Sequence, residues 1–99
     1  MMAEDRIKRK NLWAGMNNVD QADWIRAAHK LGLRVVHATS GTSHTITLRD
    51  PRNVDDDDIR TLISTVQTNL YKQANQAIFK KVVDFGIEED DIWRALKKL

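Results

Sequence analysis

From His44 to Asp50 the chain reads HTITLRD. Apolar Ile46 and Leu48 alternate with polar Thr45, Thr47 and Arg49, and a two-residue period places one set of side chains on each face of an extended strand. Such a strand cannot stand alone. Its backbone needs partner strands, and its apolar face needs a covering layer. Upstream, LRVVHA brings the β-branched Val35 and Val36, and the intervening TSGTS reads as a turn, so the two strands pair as a hairpin. A two-stranded hairpin is a poor platform for a core. The segment IRTLISTVQ, residues 59–67, offers Ile59, Leu62, Ile63 and Val66 at helical spacing behind the acidic run Asp55 to Asp58. Its β-branched Thr61, Ile63, Thr65 and Val66 favour an extended chain instead. The need for a third strand decides the reading for a strand.

Helical signals flank these strands. In DQADWIRAAHKLG, Asp20 suits the N-cap, Trp24, Ala28 and Leu31 line one face, and Gly32 supplies the stop. NLYKQANQAIFKKVVDFG carries Leu70, Ala74, Ala77, Ile78, Val82 and Phe85 as a stripe and ends at Gly86, with Ile87 free to fold back. EEDDIWRALKKL has acids in its first turn and lysines in its last, as the helix dipole favours, with Ile92, Leu96 and Leu99 expected inward. The predicted fold is α+β: an αβββα(α) sandwich with a three-stranded antiparallel sheet and helices packed on one face. Ninety-nine residues suffice for one such domain. It is expected over residues 19–99, behind a basic N-terminal arm, residues 1–18. In that arm Leu12, Trp13 and Met16 either pack as a short helical turn or stay mobile until a partner binds.

Composition narrows the chemistry. There is no cysteine, which removes disulfides, thiolate nucleophiles and cysteine zinc sites. The start MMAEDRIKRKN is charged and no long apolar run follows, so neither a signal peptide nor a membrane span is expected, and the reading is a cytoplasmic protein. Net charge is +2, split as +4 over residues 1–52 and −2 over residues 53–99. The basic half is where an anionic partner such as RNA would be drawn. Candidate phosphate contacts are Lys8, Arg9 and Lys10 in the arm, Arg49 on the alternating strand, and Lys72 and Lys80, which share a helix face with Gln76. The bland reading of those lysines is a solvated surface. No glycine-rich phosphate cradle or nucleophile elbow is present. No histidine or acid pair has ligand spacing on one helix face, and DDDD lacks the alternation of a calcium loop, so no metal and no cofactor is expected.

The three histidines are His29, His37 and His44. His29 lies on the flank of the first helix and reads as structural. His44 opens the alternating strand in GTSHTITLRDP. That segment, preceded by a helix ending KLGL and the strand RVVHA, and followed by a helix ending in Gly86-Ile87 that runs on into another, resembles the HicA family of toxin endoribonucleases. Gly41, Ser43 and His44 stand in the family's Gly-Ser-His positions, and the likeness spans Asp20 to Ile87. It implies a double-stranded-RNA-binding-domain type of fold and His44 as the residue that cleaves mRNA, with Gly41 and Ser43 shaping its turn. It also implies a HicB-like antitoxin that covers the site. The sequence departs from the family at Thr45, where a second histidine or an aromatic often stands, and in its low overall basicity.

Metal-free RNA cleavage needs a group that titrates near neutrality and positive charge near the phosphorus, so His44 with Arg49 or a helix lysine fits. His37 could approach across the hairpin as a second acid or base. By strand parity His44 shares a face with Ile46 and Leu48, so it must lie at the strand's edge or beside a bulge to reach substrate. The alternative is a non-catalytic RNA- or protein-binding module of the same fold, in which His44 caps the turn.

Overall fold

The computed structural model describes residues 7–37, 45–52 and 59–99. In chain order these form α1 (Lys10–Ala14), a 3-10 turn (Met16–Asn18), α2 (Gln21–Lys30), β1 (Arg34–His37), β2 (Ile46–Arg49), a second 3-10 turn (Ile59–Thr61), β3 (Leu62–Val66), α3 (Lys72–Phe85) and α4 (Glu89–Ala95). The three strands make one antiparallel sheet in the order β1-β2-β3, so β2 is central and β3 is an edge. The expected α+β sandwich is present, and its third strand is the segment whose pattern also suited a helix.

Local chemistry sets the helix ends. Asp20 accepts the Asp23 N–H at 2.9 Å while Asp23 accepts the Asp20 N–H at 3.0 Å, a reciprocal cap at the start of α2. The Asp23 N–H leads in holding the Asp20 carboxyl below the ordinary aspartate range. At the other end Gly32 takes φ +76°, and Leu33 N–H reaches back to the Ala28 carbonyl at 2.9 Å. Gly86 repeats the device after α3 at φ +120°, with Ile87 N–H on the Val82 carbonyl at 3.3 Å.

The sheet has two unlike faces. Ile46, Leu48 and Val66 are buried and meet Trp24, Ala28, Ile78, Phe79 and Val82 of α2 and α3 in a single core. Thr47, Arg49 and Thr65 project to the other side, as the alternation in HTITLRD requires. A β-bulge at Leu48/Arg49 interrupts the β2–β3 pairing, while β1 and β2 stay in regular register. The helix stripes sit slightly off their expected positions. On α3 the buried residues are Asn75, Ile78, Phe79 and Val82, and Ala77 is exposed. In the last helix Ile92 and Leu96 are buried as expected, together with Trp93. Leu99 is not: it is 51% exposed. Lys97 takes φ +62° and Lys98 N–H closes on the Trp93 carbonyl at 2.8 Å, which ends the helix, so helical periodicity no longer governs Leu99.

Residues 7–18 are part of this core. Ile7, Trp13 and Met16 are buried, and the Trp13 ring meets Phe79 edge-on at 5.7 Å between centroids. Of the two readings of the arm, these residues take the packed one. Two polar hubs hold them. Asn75, fully buried, accepts Trp24 Nε1–H at 2.9 Å and donates through Nδ2 to the Met16 and Val19 carbonyls at 2.7 and 2.9 Å. Glu89 accepts the Lys8 N–H at 2.7 Å, the Arg9 N–H at 3.0 Å and Trp93 Nε1–H at 2.9 Å. Burial pushes the Glu89 carboxyl up, but these three donors outweigh it and hold the group below the usual range.

Candidate nucleic-acid interface

The cations singled out from the sequence fall into two groups on different sides of the molecule. Lys8, Arg9 and Lys10 lead into α1 beside the start of α4. The Arg9 guanidinium is engaged there, with Nε 2.9 Å from Asp90 Oδ1 and Nη2 3.3 Å from Oδ2. That fork holds the Asp90 carboxyl below its ordinary value, so Arg9 serves the fold. Lys8 and Lys10 are exposed and line a cleft of about 540 Å3 with Asn11, Leu12, Lys98 and Leu99. Lys98 Nζ lies 3.2 Å from Asn18 Oδ1. On α3, Lys80 places its ammonium 5.5 Å from the centre of the Trp13 ring, and Gln76 donates to the Trp13 carbonyl at 2.8 Å. The face read as a phosphate track is therefore partly occupied by α1. Lys72 is exposed in the first turn of α3, two turns or about 12 Å from Lys80.

Arg49 lies elsewhere, on the sheet face turned away from the helices. Its Nε donates to Thr47 Oγ1 at 3.2 Å and its Nη1 to Thr61 Oγ1 at 2.9 Å. Directly opposite in the β1–β2 register is Arg34. Sequence reading passed over Arg34, because only the hairpin register reveals that it faces Arg49. Val36 and Thr47 form the next pair on the same face, and Thr65 continues that row onto β3. Both arginines are half-buried and Thr65 is exposed.

Gly41, Ser43 and His44 lie outside the described residues, in the segment that joins β1 to β2. His37 is exposed at the end of β1 and pairs with Ile46, the first residue of β2. It is thus at the end of the hairpin where residues 38–45 begin and finish. Arg49 is at the far end, three residues or about 10 Å along β2 from Ile46 and on the opposite face. His29 is exposed on α2. Among the described residues no three histidine or acidic side chains gather as a metal site, and no helix is long and apolar enough to cross a membrane.

Compared with protein families, with curated proteins and with solved structures, the chain finds no match.

Proposed function

We propose that the chain is a HicA-like endoribonuclease that cleaves mRNA in the cytoplasm and is silenced by a HicB-like protein covering its site. One observation carries this reading. The fold that the HicA resemblance implies, a helix, a three-stranded antiparallel meander and a covering helix, is the fold of the chain, and the Gly-Ser-His segment joins its first two strands. In the proposed reaction neutral His44 takes the proton from a ribose 2′-hydroxyl. The 2′-oxygen attacks the adjacent phosphorus, the bond to the 5′-oxygen breaks, and that oxygen collects a proton from an acid or from water. The products are a 2′,3′-cyclic phosphate and a 5′-hydroxyl end. Cations near the phosphorus stabilise the charge that develops on its non-bridging oxygens.

A second reading, a non-catalytic RNA-binding module, draws support from Arg34 and Arg49, paired across β1 and β2 at the end of the hairpin away from the β1–β2 connection. The two are separated by incubating the purified chain and its His44→Ala variant with mixed RNA in EDTA. The nuclease reading expects fragments bearing 5′-hydroxyl ends from the native chain and none from the variant. Intact RNA bound equally by both would replace it with the binding module.

A further inference from the structure

We infer that the β3 edge of the sheet is an interface between two copies of this chain, with β3 antiparallel to β3 of the second copy and α3 beside its α3. The inference goes beyond the nuclease reading and does not rest on it.

Three features converge on this edge. First, the sequence of β3 lacks the side chains that keep an edge strand from pairing. LISTV holds no charged residue and no proline, whereas the other edge, β1, carries Arg34. The bulge in the β2–β3 register falls at Ile63, and Gln21 Nε2 donates to the Val66 carbonyl at 3.0 Å. Strand pairing is thereby confined to the short stretch around Ser64 and Thr65, and the helices must supply most of the contact.

Second, α3 is apolar on more than its core side. Ile78, Phe79 and Val82 are buried, but Ala74 is only half-buried, Ala77 is exposed, and Tyr71 at the N-cap is 64% exposed. With Ser64 and Thr65 these three line a groove of about 290 Å3 between β3 and α3. Tyr71 is the most exposed large apolar side chain among the described residues. Tyrosine is enriched where proteins meet, and alanines let two helices approach closely.

Third, the groove complements itself. Among the described residues lining it Lys81 alone is charged, at the end of α3 away from Tyr71, roughly 15 Å along the helix. In a twofold contact residue i meets j while j meets i. An antiparallel α3 pair centred between Ala74 and Ala77 keeps the two Lys81 ammoniums apart. It brings each toward the Tyr71 ring of the other copy, as a cation–π contact requires. An acidic partner would find a single cation here, whereas a second copy supplies both the ring and the ammonium. The patch is small, and specific interfaces below about 1,200 Å2 in total are weak, so the expected Kd is on the order of 100 µM.

Sedimentation equilibrium of the full chain from about 5 µM to about 1 mM brackets that value. The native chain should pass from monomer to dimer and no further, because a twofold contact closes. Ala77→Glu buries a carboxylate near the centre of the pair, close to its own counterpart, and should leave the chain monomeric throughout. Tyr71→Ser removes the ring and should raise the Kd about tenfold. Both positions are exposed, and thermal melting of each variant establishes that it is folded. Amide shifts of the native chain over the same dilution series need no substitution. They are expected at Ser64, Thr65, Tyr71, Ala74, Ala77 and Lys81. A native chain that is monomeric at every concentration would overturn the inference and leave the edge to a segment of a different protein. A dimer that persists in Ala77→Glu, or shifts confined to other elements, would overturn it too and place the contact elsewhere.

Discussion

At the scale of single residues, Trp24 and Asn75 allow packing and hydrogen bonding to be measured apart. Trp24 is 1% exposed, so Trp24→Ala removes a whole buried indole and should cost about 3–5 kcal/mol. Trp24→Phe keeps much of the volume but deletes the N–H that Asn75 Oδ1 accepts at 2.9 Å. A carbonyl left unpaired in the core costs about 1–3 kcal/mol, so the phenylalanine variant should fall between the native chain and the alanine variant. Urea denaturation of the three proteins orders them. A phenylalanine variant as stable as the native chain would mean that Asn75 finds another donor. Trp24 was legible in the sequence because an apolar residue on an amphipathic stripe has one place to go. Asn75 was not. An amide in the polar stretch QANQ looks like a solvated position until the carbonyls of Met16 and Val19, more than fifty residues away, are seen beside it. Arg34 was missed for a related reason, since its meaning lies in its partner across the hairpin.

At the scale of elements, the Glu89 carboxylate joins α4 to the N-terminal segment and gives that junction a pH dependence. Its value in the folded protein is held below the ordinary glutamate range, which lies near about 4.3. The stabilisation is therefore complete above that ordinary value and is lost as pH falls through the depressed one. Glu89→Gln removes the charge and turns an N–H2 group toward donors that need an acceptor, so it should cost about 2 kcal/mol at pH 7. The difference between native and variant should shrink as pH falls below the ordinary glutamate value and through the depressed one, since a protonated glutamate resembles glutamine. Denaturation curves at four pH values check this, and a difference that stays constant with pH would remove Glu89 as the source. The elements themselves were largely readable. The Asp20 cap, the glycine stops and the Ile46/Leu48 alternation are local signals, and local chemistry decides them. β3 was ambiguous because Ile59, Leu62, Ile63 and Val66 satisfy a helical period. The choice turned on what the hairpin lacked, a long-range requirement and not a local one. The stripe on α3 was drawn too near Ala77 because small residues carry little directional information, and the partner that draws Phe79 inward is Trp93, its ring 4.3 Å away on another helix.

At the scale of the whole molecule, the fold was more legible than the site. Burial patterns repeat along the chain and correct one another, whereas a site rests on a few side chains brought together by register and by long-range pairing. RIKRKNLWAGMNN left two readings open, a packed turn and a mobile arm, and Ile7, Trp13 and Met16 are 4%, 8% and 0% exposed. A chain beginning at Val19 tests what that burial contributes. It loses three large apolar side chains, each worth about 1.5–3 kcal/mol when fully buried, a total on the order of 5–9 kcal/mol. It uncovers part of Phe79, leaves Asn75 Nδ2 without the Met16 carbonyl, and leaves Glu89 without the Lys8 and Arg9 N–H groups. Domains of this size are held by about 5–15 kcal/mol in all. The shortened chain should therefore lack a cooperative urea transition and the near-ultraviolet dichroism of packed tryptophans. A sharp transition at nearly the native midpoint would instead make the segment an appendage. The expected failure bears on function as well. A segment whose removal unfolds the sheet cannot be assigned an RNA-binding role by deletion, so its lysines have to be tested by substitution within the intact chain.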